Sequence, residues 1–114
     1  MTGSGTHEMT IRLPYLRLIA SGIKTVEVRV GYPRMRKIRA GDQLTFVSGE
    51  ERLPTRVERV TEYPSFAAML DHENGRSIGG ELGENRDDLL AVIRDIYPPE
   101  KERLGVLAIE VKLI

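Results

Sequence analysis

Cysteine and tryptophan are absent from this 114-residue sequence, and histidine occurs only twice, at His7 and His72. Without thiols there is neither a disulfide framework nor a thiolate metal site, and two isolated imidazoles fall short of a zinc ligand set. The expectation is no metal and no cofactor, in a chain that a reducing cytoplasm suits. Long apolar runs are missing too. No window approaches the roughly 20 apolar residues of a bilayer span, and the N-terminus has no basic region leading into an apolar one. This predicts a cytoplasmic protein with no membrane partner. Excess charge of one sign is the last absence: 17 Lys and Arg balance 17 Asp and Glu. Any affinity for nucleic acid must then come from charge segregation rather than surplus.

What is present is one globular domain's worth of chain, read as residues 7–114 behind a disordered tail at 1–6. Its densest chemistry lies in Gly22-Ile23-Lys24-Thr25-Val26-Glu27-Val28-Arg29. Alternation puts Val26, Val28 and Val30 on one face of a strand and Thr25, Glu27 and Arg29 on the other. One face packs, and the other lines something wet and charged. Lys24 and Glu27 are the catalytic candidates. Glu27 would act as a general base, while Lys24 and Arg29 stabilise developing negative charge. The plainer alternative is an ion pair that merely orders the strand.

Arg29, Arg34, Arg36 and Lys37 follow one another without an intervening acid and with Tyr32 interleaved. The stretch is either a solvated loop or a phosphate-binding surface with an aromatic for stacking. Thr25, Arg29, Tyr32, Arg34, Arg36 and Lys37 are thus the binding candidates. Tyr15 shares a helical stripe with Leu18 and Ile19, so core packing and base stacking are both open for it. Tyr97 and Phe66 are assigned to packing.

The remaining chain reads as short strands with small helices between them. Strands are expected at His7–Leu13, Gln43–Val47, Thr55–Tyr63 and Val106–Ile114, and a helix from Pro14 capped by Gly22. Ser48–Glu51 reads as a hairpin loop. Broken parity at Val57 and Val60 points to a bulge. Ser65 and Asn85 are N-caps for two further helices, the second ending at Pro98-Pro99. Asp71–Gly83 reads as a loop whose glycines mark it as mobile or closely approached. The sum is an α+β domain, a small β-barrel with flanking short helices whose strands run in hairpins.

At this level of detail the sequence resembles the ASCH domains, a branch of the PUA-like superfamily. The resemblance rests on Gly22-x-Lys24-Thr25-x-x-x-Arg29, Gly41-Asp42-x-Leu44-x-Phe46, Tyr63-x-x-Phe66, Asp95-Ile96-Tyr97-Pro98 and Gly105-x-Leu107-Ala108-Ile109. It implies a PUA-like barrel with a cleft beside the Lys24 strand that takes RNA or a nucleoside-like ligand. One bacterial ASCH subfamily hydrolyses N4-acetylcytidine with a Lys, a Thr three residues later and a distal Glu. These positions are Lys24, Glu27 in place of the Thr, and Glu81 or Glu84. The resemblance thus leaves two functions, a binding module and a metal-independent hydrolase or ribonuclease, with the oligomeric state open.

Overall fold

The computed structural model describes residues 5–114; Met1–Ser4, in the expected tail, lie outside the described residues. Five strands form one sheet: β1 (Thr6–Thr10), β2 (Val26–Val30), β3 (Gln43–Ser48), β4 (Glu51–Tyr63) and β5 (Val106–Leu113). Four helices accompany it, α1 (Leu13–Ala20), α2 (Phe66–His72), α3 (Gly75–Gly79) and α4 (Arg86–Ile96), with 3₁₀ turns at Met35–Lys37, Gly80–Glu84 and Pro99–Leu104. The chain is structured earlier than expected, since Thr6 opens β1 and the Gly5 amide donates to Asp42 Oδ1 at 2.9 Å. At its other end β1 stops at Thr10. Pro14 sits in the first turn of α1, where no intrahelical amide donor is required, and so lets the helix begin at Leu13.

The strand order is β1-β3-β4-β5-β2. One hairpin accounts for part of this, as expected, with β3–β4 antiparallel across a tight turn; β5 pairs antiparallel with β4 and β2 only after the helical segment between β4 and β5. The first strand departs from it: β1 runs parallel to β3. The sequence neighbours β1 and β2 consequently form opposite edges of a half-barrel, facing one another across an open seam. The β3–β4 turn is tighter than the four-residue loop expected, because Ser48 already pairs with Glu51. The bulge is present, as a register shift between Val57 and Arg59.

Each face of the sheet carries its own apolar core. Met9, Leu16, Ile19, Leu44, Phe46, Leu107 and Ile109 pack under α1. Val26, Val28, Val30, Phe66, Met69, Ile78, Leu89 and Ala108 pack under α2, α3 and α4. Burial on both faces explains why Val106, Leu107, Ala108 and Ile109 are consecutively buried. It also corrects the expectation of a packed face and a wet one for β2. Glu27 and Arg29 stand beside Ile109 and Leu107, members of the first core, at its rim.

The segment read as a loop at Asp71–Gly83 is mostly helical. Phe66–His72 continues into it, Asn74 caps α3 through its side chain, and Gly80 turns the chain at φ +64° into the next 3₁₀ turn. This segment lies over the start of β2, where the Thr25 amide donates to Ser77 O at 2.8 Å.

Candidate functional site

Gly22 ends α1 with φ +83°, which returns the chain sharply and leaves Lys24 facing inward rather than out along the helix. Lys24 is only 3% exposed. Its ammonium donates to Val26 O at 2.6 Å and to Ile78 O at 2.7 Å, and lies 3.1 Å from Glu27 Oε1. A lysine has three N–H donors and no acceptor. All three therefore have partners, and the side chain joins β2 to α3 as a fixed cation.

Glu27 is 8% exposed and lies between two cations. Arg29 Nε donates to its Oε2 at 2.7 Å, and Arg29 Nη2 lies 2.6 Å from the same oxygen. Burial pushes the Glu27 carboxyl up, but the charges of Lys24 and Arg29, with their hydrogen bonds, outweigh it and hold the group below its ordinary value. Glu27 is an ionised acceptor with lowered basicity. Arg29 also reaches across the seam, donating from Nη2 to Thr10 O at 2.8 Å, and so ties the two edge strands together.

These side chains form the polar end of a cavity of about 200 Å³ at the seam. The rest of the lining is largely apolar and includes Ile11, Tyr15, Leu89, Ile93, Ile96 and Tyr97. Tyr15 lies with its ring centroid 5.9 Å from the Lys24 ammonium. Tyr97 stacks on Phe66 at 5.7 Å, and burial raises its phenol pKa. Among the described residues no group of three His, Asp or Glu side chains comes together to hold a metal.

The structure joins Lys24, Glu27 and Arg29 in one network and leaves the other candidates outside the lining. Glu81 is exposed on the 3₁₀ turn after α3, and Glu84 pairs with Arg76 at 2.6 Å. Thr25 is held through its backbone, donating to Ser77 O and accepting from the Val111 amide. Arg36 has a structural role. It grips both carboxylate oxygens of Glu62 at 2.7 and 2.8 Å and donates to Gly31 O and Leu104 O. Arg34 lines a separate hollow of about 140 Å³ with His7 and Glu8. Lys37 is exposed, and Tyr32 packs beneath the Lys101 ammonium at 5.8 Å. No sequence signal marks Arg12 and Thr10, which line the cavity because the β1–α1 turn faces β2 across the seam.

The family model for the ASCH domain matches residues 9–114. The chain belongs to the ASCH family. This ASCH domain is similar to the hypothetical protein PH0355, known from a crystal structure, at 31% identity and a TM-score of 0.87, over 96% of this chain and 99% of that one. It is also similar to protein PF0455 from Pyrococcus furiosus, solved by solution NMR. There the identity is 31% and the TM-score 0.77, over 96% of this chain and 97% of that one. No curated protein matches. The ASCH half-barrel is α+β and PUA-like, and membership carries the general character of a nucleic-acid-type role. Among its described residues no helix is long and apolar enough to cross a membrane.

Proposed function

We propose that this ASCH domain is a binding module whose seam cavity takes one base of an RNA or a nucleoside-like ligand. The supporting observation is a largely apolar slot whose lining includes Tyr15, Tyr97 and the Glu27 carboxylate. Tyrosine rings offer a base its stacking surface. Glu27, with four lone-pair sites and cations on only part of them, accepts from an N–H edge. At about 200 Å³ the space is below the roughly 300–1,000 Å³ of drug-sized sites, which suits one planar group rather than a strand.

The contact between Lys24 and Glu27 is what favours a second reading, hydrolysis of an N4-acylated cytidine or of RNA without metal. Binding fits the geometry better. An ammonium with three acceptors already in place is no base, a carboxylate held below its usual range is a weak one, and Glu81 stands outside the lining. Calorimetry with cytidine and adenosine should give saturable binding. Incubation with N4-acetylcytidine and with short RNA in EDTA should give no product. Product that disappears in a folded Lys24→Ala variant would replace the binding reading with the enzymatic one.

A further inference from the structure

The charges buried around the cavity do not cancel. Lys24 and Arg29 supply two positive charges and Glu27 one negative, so the network carries a net +1 against an apolar lining. Uncompensated charge in such surroundings is costly and favours a counter-ion. Donors are available for one. Arg29 Nε and Nη2 are occupied by Glu27 and Thr10 O, whereas Nη1, with two N–H groups, has no partner among the described residues. Arg12, exposed where α1 begins, lines the same cavity and likewise has no carboxylate partner among them.

We propose that the ligand of this cavity is a phosphorylated nucleotide, its phosphate held between Arg29 Nη1 and the Arg12 guanidinium while its base enters the slot. The inference rests on the base-binding reading above and goes beyond it by naming the anionic group and the arginines that meet it. Planar guanidinium forks match phosphate oxygens, and two of them at one mouth give a charge-assisted site that Lys24, fully engaged with protein acceptors, does not supply. A free nucleotide and a nucleotide within an RNA share this chemistry.

The test compares cytidine and adenosine with their 5′-monophosphates, inorganic phosphate and a short single-stranded RNA by calorimetry at constant salt. Each monophosphate should bind about tenfold to a hundredfold more tightly than its nucleoside, the effect of one or two hydrogen bonds to a charged group. Arg12→Gln, at an exposed position, should shrink that gap. An RNA that binds no better than the monophosphate identifies the free nucleotide as the source; a tighter RNA identifies the strand, and both fit the proposal. Nucleosides binding as tightly as monophosphates would overturn it and leave base binding standing, as would a gap untouched by Arg12→Gln. Absence of binding by every probe would remove both readings.

Discussion

Lys24 illustrates why a charged residue can hold a fold together and line a site at once. Its ammonium joins β2 to α3 through Val26 O and Ile78 O, so Lys24→Ala leaves two carbonyl oxygens and part of a buried carboxylate without their cation. Breaking a buried ion pair by removing one partner costs about 3–5 kcal/mol, and urea denaturation should show a loss of that order. A loss under about 1 kcal/mol would mean that solvent reaches the network freely. Loss of function in this variant is thus evidence about chemistry only when its fold is verified. Glu27 gives a pH signature. Its folded-state pKa lies below the ordinary 4.5, so its stabilising contribution is complete above that value. As pH falls the unfolded chain takes up the proton first, and the contribution disappears as pH passes through the depressed folded value. Wild type should therefore lose stability below about pH 5 more steeply than Glu27→Gln, the two curves converging in acid; parallel curves would show that Glu27 has no special stake in folding. The residues of this network were legible in the sequence, because a base, an acid and a guanidinium on one short strand seldom serve packing alone. Their burial was not, since it depends on α3 and α4 arriving from more than 50 residues away in the chain, as the Lys24–Ile78 separation of 54 shows.

Secondary elements with local causes were readable: Ser65 and Asn85 cap their helices through bonds to the Ala68 and Asp88 amides, and the β4 bulge showed in broken parity. The span from Asp71 to Gly83 was not, because its glycines suppress helical propensity while tertiary contact imposes a helix anyway. Two of those glycines, Gly75 and Gly83, approach one another. A Cβ on Gly83 would stand 1.8 Å from Gly75 O, and one on Gly75 would stand 2.2 Å from Gly83 O. The crossing holds α3 against the 3₁₀ turn and so positions Ile78 O for Lys24. Gly83→Ala should cost about 1–3 kcal/mol, the usual penalty for overpacking, and hydrogen exchange should speed up at residues 75–84 before the sheet is affected. Unchanged exchange there would mean that the crossing relaxes without disturbing α3. The parallel β1–β3 pairing was equally out of reach, because each strand's periodicity is the same whichever neighbour it takes.

At the scale of the whole molecule, a neutral chain can meet a polyanion only where its cations are unpaired and gathered. The basic stretch from Arg29 to Lys37 looked like that place, but Arg36 is tied to Glu62 and Arg34 lines a different hollow, whereas Arg12 and Arg29 line one cavity at the seam. The salt dependence of RNA binding separates the two arrangements. Single strands lose affinity with a log–log slope of about −0.7 per phosphate neutralised, so two arginines at the seam give a slope near −1.4. A strand that also tracked Arg34 and Lys37 would contact about four phosphates and give a slope near −2.8. Fluorescence anisotropy of a labelled short RNA across a salt series measures it, and the shallow value is expected. A steep slope would move recognition from the seam to the basic stretch around Arg34 and Lys37, and a flat one would mean that no phosphate is held, because counter-ion release must follow wherever a guanidinium meets the backbone.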